Sequence, residues 1–269
     1  MRGEVHISII TPVYNGIGFI EYCINNVISQ DCPHMEHVIV DGGSTDGTVE
    51  VIRKYAGEFQ HILWVSEKDK GQSDAMNKGI DMANGNIIGF LNVDDYYEPK
   101  ILPEILDIFK KLPAPSLLVG NCYMWDDNDH LHFVSKPFRI GLLNLLMEKY
   151  EVALPFNASA YFYHKSLHET IGPYKVDEHY GMDVHFIFQA VQNAHVKYVD
   201  KMWGNYRYLI GTKTYIDNES GQNPVRVKAI NEYYKARASL RYRFILALIE
   251  RIKFIYYSCC GFIRSIPSR

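Results

Sequence analysis

"HVIVDGGSTDGT", residues 37 to 48, joins a short apolar run to a polar loop and the start of a helix. His37 to Asp41 is continuous rather than alternating, as expected of a strand buried on both faces. Gly42 and Gly43 permit a tight turn. Ser44, Thr45 and Asp46 then offer oxygens to the free N–H groups of a helix over residues 48 to 55. The same unit recurs on both sides. Upstream, "VHISII" (5 to 10) is a β-branched strand followed by Ile17, Ile20, Ile24, Val27 and Ile28 at helical spacing. Downstream, "HILWV" (61 to 65) precedes a helix marked by Met76, Ile80 and Ala83, closed at Asn84-Gly85, and "NIIGFLN" (86 to 92) is a fourth strand. The order βαβαβαβ predicts an α/β fold whose central sheet is mostly parallel and flanked by helices.

Each strand ends in a polar loop: "TPVYNG", "DGGSTDG", "EKDKGQSD" and "NVDD". Carboxyl ends of parallel strands form the ligand-binding crevice of an open α/β sheet. No G-x-G-x-x-G follows the first strand, and no Walker A sequence is present. The loops supply carboxylates instead, which repel phosphate unless a cation lies between them. Hard oxygen ligands beside a diphosphate suit Mg²⁺ or Mn²⁺, with Asp94 as the ligand that leads directly out of the fourth strand.

The 269 residues, 47% hydrophobic and 22% charged, fit an ordinary globular chain with a sizeable core. A net charge of -3 gives no drive toward nucleic acid. No apolar stretch reaches the ~20 residues that span a bilayer. Glu4 and Pro12 near the start argue against a secretory signal. The five cysteines, Cys23, Cys32, Cys122, Cys259 and Cys260, form no metal-binding pair and read as reduced thiols of a cytoplasmic protein.

After residue 100 the pattern mixes. Strands are expected at 116 to 125, 131 to 134, 158 to 164 and 196 to 200, and helices at 141 to 150 and 181 to 194. "DDNDH" (126 to 130) reads as a solvated hairpin turn, and His179 as a surface histidine. "DNESGQNP" (217 to 224) reads as a linker. Beyond it a stripe from Ile230 through Tyr234, Ala238, Tyr242, Ile245, Ile249, Ile252 and Tyr256 is bordered by Lys235, Arg237, Arg241, Arg243, Arg251 and Lys253. Such a tail either meets anionic headgroups at a membrane surface or packs on protein.

The pieces "ISIITPVYNG", "SQDCPHMEHVIVDGGSTDGT", "SEKDKGQSDAMNKGIDMANGNIIGFLNVDDYY", "HYGMDVHFIFQAV" and "YRYLIGTKT", in this order over residues 5 to 214, resemble family-2 glycosyltransferases of the GT-A fold. These are inverting enzymes of bacterial surface-polysaccharide synthesis. The resemblance implies that Thr11, Pro12, Tyr14 and Asn15 lie along a nucleotide. It implies that Asp41 binds the base, and that Asp69, Lys70 and Asp74 lie near base and diphosphate. Asn92-Val93-Asp94 occupies the D-x-D position, giving Asp94, with Asp95 beside it, as metal ligand for Mg²⁺ or Mn²⁺. Asp183 matches the general base and Arg207 a basic residue near the diphosphate. Asn92 departs from a strict D-x-D, and no histidine follows His195 to complete a metal site.

The expected organisation is a GT-A catalytic domain over 1 to 216 and a basic, helical C-terminal extension over 217 to 269. The expected partners are a nucleotide-sugar donor, a saccharide or lipid-linked saccharide acceptor, and peripheral contact with the inner face of the plasma membrane through the tail. Two alternatives are a degenerate, partner-regulating sugar-nucleotide binder and a sugar nucleotidyltransferase. The second is disfavoured because "TPVYNG" lacks the basic residues that hold a triphosphate.

Overall fold

A computed structural model describes residues 6–178 and 180–264, with residues 253–264 as helix backbone alone. His179 and the side chains of Tyr256, Cys259 and Cys260 lie outside the described residues.

The first half alternates as the sequence predicts: β1 (Ile7–Val13), α1 (Ile20–Ile28), β2 (Met35–Asp41), α2 (Thr48–Glu58), β3 (Ile62–Ser66), α3 (Gln72–Met82) and β4 (Ile87–Phe90). These strands pair in the order β3-β2-β1-β4, all parallel. Both faces are covered because successive side chains on a strand point to opposite sides. Ile7 and Ile9 join Cys23 and Val27 of α1 on one face. Ile10, Val38 and Val40 join Ala75, Met76 and Ile80 of α3 on the other. A methyl group at Gly79 would overlap the Ile10 side chain, so glycine is what lets α3 lie directly on β1. Ile9 is fully buried, and truncating it to Ala would cost about 2–5 kcal/mol of stability.

The second half is built differently. It runs β5 (Tyr96–Tyr97), α4 (Ile101–Phe109), β6 (Ser116–Trp125), β7 (Leu131–Ser135), α5 (Leu142–Leu146), α6 (Tyr150–Ala153), β8 (Tyr161–His164), α7 (Leu167–Ile171), α8 (Met182–Asn193), β9 (His195–Arg207), α9 (Lys213–Glu219), α10 (Gln222–Arg237) and α11 (Leu240–Arg264). β8 lies antiparallel between β4 and β6, and β9 runs parallel to β6 and antiparallel to β5. The sheet therefore continues β4-β8-β6-β9-β5, with β7 as a hairpin partner of β6.

Four expectations need correction. The helix expected over 141 to 150 breaks into α5 and α6 because Glu148 turns left-handed, φ 60°. The strand expected from 158 starts at Tyr161, since the Asn157 side chain accepts from Ser159 N and winds a single 3₁₀ turn over Ala158–Ala160. "VKYVD" is the start of the much longer β9. Residues 217 to 224 are no linker. α9 and α10 meet there with only Ser220-Gly221 between them, Asp217 is buried against Arg226, and Pro224 falls in the first turn of α10, where a missing N–H leaves no helical bond unmade.

The boundary expected at 216 is therefore not a structural break. Tyr234 of α10 stacks on Phe188 of α8 with ring centroids 4.4 Å apart, and Asn231 donates to the Leu145 carbonyl. For α10 the packing alternative holds. Among the described side chains of α11, Tyr242 and Leu246 pack against the core while Leu240, Phe244, Leu248 and Ile252 are exposed.

Candidate functional site

Parallel strands bring their carboxyl ends together, so the loops after β1, β2, β3 and β4 share one edge of the sheet. They are stitched to each other by polar bonds. Asn15, held at φ 50°, donates its N–H to Ser44 Oγ at 2.7 Å, and its side chain accepts from Thr45 N at 3.0 Å. Asp46 accepts from Ile17 N and also from Thr48 N, capping α2 one residue ahead of its first turn. Tyr14 stands largely exposed over this edge and Pro12 is half-buried beneath it.

Asp41 is fully buried at the end of β2. Its Oδ2 accepts from Gly43 N, Ser44 N and Ser66 Oγ at 2.7 to 3.0 Å. Its Oδ1 is buried and receives no donor. A buried acceptor without a donor is costly, and a ligand N–H would relieve that cost. Beside it a Cβ on Gly42 would stand 2.6 Å from Asp69 Oδ2 and 3.4 Å from the Tyr14 ring, so the side chains of Asp69 and Tyr14 close around bare backbone. Asp69 also accepts from Gly71 N, while Lys70 is exposed.

Two expected contacts are redirected. Thr11 is fully buried and bonds to His37 Nε2 at 2.9 Å, so its side chain belongs to the interior rather than to the cleft. The reason is parity: Thr11 shares a face of β1 with Ile7 and Ile9, the face that packs on Cys23 of α1. Asp74 accepts from Lys70 N and pairs with Lys78 at 3.4 Å, one turn along α3, so it shapes the loop that carries Asp69 and Lys70. Its pKa is held down by that N–H and by Lys78.

The two adjacent aspartates after β4 separate into different roles. Asp95 is buried, its Oδ1 accepting from Arg207 N and its Oδ2 from Asn92 and Asn157 side-chain amides at 2.8 Å. Both oxygens accept from protein donors, so the structure gives Asp95 a part in holding this loop to Asn157 and Arg207. Burial, with Asp94 alongside, pushes its pKa up to about 8. Asp94 is half-buried and receives no side-chain donor among the described residues. Burial raises its pKa, and the attraction of Arg207 partly offsets that. Arg207 lies with its guanidinium 5.8 Å over the Phe19 ring and 3.8 Å from Asp129.

Asp183 occupies the first turn of α8. Its side chain is exposed, and the protein crowded around it raises its pKa against the pull of the Val184 N–H, Lys213 and His185. The start of α3 joins this position to the β4 loop. Gln72 donates to Asn92 Oδ1 at 3.2 Å, while its neighbour Ser73 donates to the Glu178 carbonyl and to Met182 Sδ, directly before Asp183. The start of α3 thus touches residues just before both Asp94 and Asp183, and Asp69 lies in the loop that leads into the same helix.

Among the described residues no group of three or more His, Cys, Asp or Glu side chains could hold a metal by itself. Asp94 alone fits a hard cation only where phosphate oxygens and water complete the shell, which is how Mg²⁺-type ions are commonly held. Sequence reasoning missed Gln72, Asn157 and Lys213. Gln72 and Lys213 stand inside quoted motifs, beside polar residues already singled out. Asn157 carries no local signal, because its partner Asp95 lies 62 residues away.

A family model described as "Glycosyl transferase family 2" matches residues 8–170. A PGL/p-HBAD biosynthesis glycosyltransferase of Mycobacterium bovis is 29% identical over 220 residues, 79% of this chain and 81% of that protein. The putative teichuronic acid biosynthesis glycosyltransferase TuaG of Bacillus subtilis is 32% identical over 134 residues, covering 49% of this chain and 53% of its own. Among solved structures, S. aureus TarS 1-349 in complex with UDP-GlcNAc superposes with a TM-score of 0.63 at 21% identity, over 77% of this chain and 60% of that one. The chain spans 37% of the longer TarS chain. The mannosyltransferase PcManGT from Pyrobaculum calidifontis, in complex with GDP-Man and Mn²⁺, superposes with a TM-score of 0.58 at 16% identity, over 94% and 81%. These structures share the fold.

Proposed function

The chain belongs to glycosyl transferase family 2, with the GT-A fold, and from that premise we propose an inverting glycosyltransferase that moves one sugar from a UDP-sugar to a saccharide acceptor, free or lipid-linked, in surface-polysaccharide or glycan assembly. What supports this reading is that the start of α3 reaches both segments that carry these acids: Gln72 donates to Asn92, two residues before Asp94, and Ser73 to Met182, one residue before Asp183. A reacting centre between a metal-holding acid and a free acid is what transfer from a nucleotide sugar requires.

Each residue then has a physical task. Asp41 Oδ1 accepts from the N–H of the base, which supplies its missing donor. Tyr14 and Asp69 close over the nucleoside beside Gly42. Asp94 would hold Mg²⁺ or Mn²⁺, which when bound neutralises charge developing on the leaving diphosphate. Arg207 adds fixed positive charge near the same group. Asp95, with Asn92 and Asn157, keeps the Asp94 loop and the Arg207 backbone in register. Asp183 takes the proton of the acceptor hydroxyl as that oxygen attacks the anomeric carbon opposite the diphosphate. A positioned base is worth ~10²–10⁴-fold in rate.

Peripheral membrane contact is part of this reading. Leu240, Phe244, Leu248 and Ile252 are 81%, 70%, 48% and 57% exposed at four-residue spacing along α11, with Arg241, Arg243 and Arg251 beside them. An apolar stripe edged with arginine complements the cytoplasmic leaflet, whose headgroups are anionic. No helix among the described residues is long and apolar enough to cross a membrane.

A panel of UDP-, GDP- and dTDP-sugars with Mn²⁺ and a polysaccharide-type acceptor tests the proposal. Transfer from one donor, lost in Asp183→Asn, is the expected result. Metal-dependent nucleotide binding with no turnover from any donor would favour a regulatory binder instead.

A further inference from the structure

The acidic turn between β6 and β7 is not simply solvated. Asp126 Oδ1 accepts from Asn128 N and His130 N, which closes the turn on itself. Asp127 accepts from Ile210 N at 3.0 and 3.1 Å and so ties the turn to the segment after β9. Asp129, in the left-handed region at φ 56°, is thereby carried to within 3.8 Å of Arg207. These bonds make the turn one wall of an open groove of ≈ 450 Å³ lined by Tyr22, Tyr96, Trp125, Asp129 and Arg207.

The rest of the groove is aromatic and held in place. Tyr22 and Tyr96 meet edge to face with centroids 5.8 Å apart. The Trp125 indole N–H donates to Asn205 Oδ1 at 2.8 Å, which fixes the plane of the ring. Tyr96 follows Asp94-Asp95 in sequence and the Arg207 backbone N–H donates to Asp95 Oδ1, so the groove they line opens beside the loop that carries Asp94. None of the described site residues explains three partly exposed rings at this place.

We propose that this groove binds a pyranose ring of one of the substrates, stacked on Trp125 and the tyrosines with its hydroxyls on Asp129 and Arg207. A pyranose offers an apolar C–H face and a rim of hydroxyls. The electron-rich face of an aromatic ring attracts the polarised C–H groups, while the rim needs acceptors and donors together. Asp129 accepts, Arg207 donates, and the tyrosine hydroxyls do both. The proposal rests on the glycosyltransferase reading and deepens it by assigning a saccharide subsite. That ring belongs either to the acceptor or to the donor's own sugar.

Saturation-transfer NMR on the full chain with methyl glucoside, methyl mannoside and methyl N-acetylglucosaminide tests it without turnover. The expected result is saturation concentrated on the C–H protons of one ring face. Tyr22→Ala and Trp125→Ala should each weaken binding about tenfold, the scale of one lost aromatic contact, with UDP affinity unchanged. Tyr22 is surface-exposed, so its variant carries the test even where Trp125→Ala disturbs the fold. A raised KM for acceptor alone places the acceptor ring in the groove, and a raised KM for the nucleotide sugar, with UDP affinity intact, places the donor's. The proposal is overturned by absence of glycoside contact, by contact that survives both substitutions, or by UMP affinity falling in parallel, which would make the groove a nucleotide surface. If wild-type protein fails to bind UDP at all, the glycosyltransferase reading falls, while the glycoside titration still reads out by itself.

Discussion

The edge over β1 to β4 and the region from β6 to α10 solve the same problem by different means. The first holds its polar groups with hydrogen bonds between loops: Asn15 to Ser44 and Thr45, Asp46 to Ile17, Asp41 to the turn that follows it. The second holds its groups by packed rings and long-range amides. Phe186 lies within 4.6 to 5.9 Å of Tyr163, Tyr174, Tyr161 and His168, and Asn157 reaches across to Asp95. A cross-tied edge suits a ligand whose shape never changes, the nucleotide. A region anchored by side-chain packing can vary its surface while its core persists, which suits the part that selects a saccharide.

This contrast yields ordered expectations. Asp183→Asn, on the second region, should lower kcat by ~10²–10⁴-fold with UDP affinity unchanged, read by transfer assay and calorimetry. Equal loss of UDP binding would mean that the two regions do not divide the labour. Asp94→Asn, at the junction, should lower transfer by about 10²–10³-fold and abolish any stimulation by Mn²⁺, since one preorganised electrostatic partner of the leaving group is removed. Asp41→Asn, deep in the first region, should weaken UDP by about tenfold or more and leave kcat at saturation nearly unchanged. An amide there can present N–H where the base also presents N–H.

The pH profile sharpens the division. Asp183 works as a base only when ionised, and its pKa is raised by its surroundings, so kcat should fall on acidification at a pH above the ordinary carboxylate range. Lys213 favours the ionised form, so Lys213→Met should move that limb further toward alkaline pH. A limb that stays in place, or moves the other way, would remove Asp183 from the base's role. The smallest catalytic effect belongs to Phe244→Glu. On a soluble acceptor its rate should match wild type and its stability should shift within about 0.5 kcal/mol, while cosedimentation with phosphatidylglycerol vesicles is lost. Undiminished vesicle binding would instead mark α11's stripe as a protein contact.

The two regions also differ in how far their sequence discloses them. In the first, β1-β2 and β2-β3 pair across a single helix and β4 returns to β1 in the same parallel sense, so a repeated apolar run, polar loop and helical stripe suffice to place Asp41, Asp69 and Asp94 on one edge. Parity still misled at Thr11, whose side chain turns inward to His37. In the second, β6 pairs with β9, about eighty residues on, and β5 finds its partner in the same distant strand. No periodicity encodes such partners. Asp95 illustrates the result: adjacent to Asp94 in sequence, it is consumed by Asn92, Asn157 and the Arg207 backbone, two of which only the folded sheet brings near. The residues 217 to 224 misled for a related reason, since a polar, Gly- and Pro-containing stretch reads as a linker until Asp217 is seen buried against Arg226.

Calorimetric titration of UDP into wild-type protein and Asp94→Asn, each with and without Mn²⁺, bears most directly on the idea that this acidic edge holds a nucleotide diphosphate through a cation. Mn²⁺ should tighten UDP binding to the wild type by at least tenfold, ~1.4 kcal/mol, and do nothing for the variant. UDP that binds equally well in all four titrations, or in none, would contradict it.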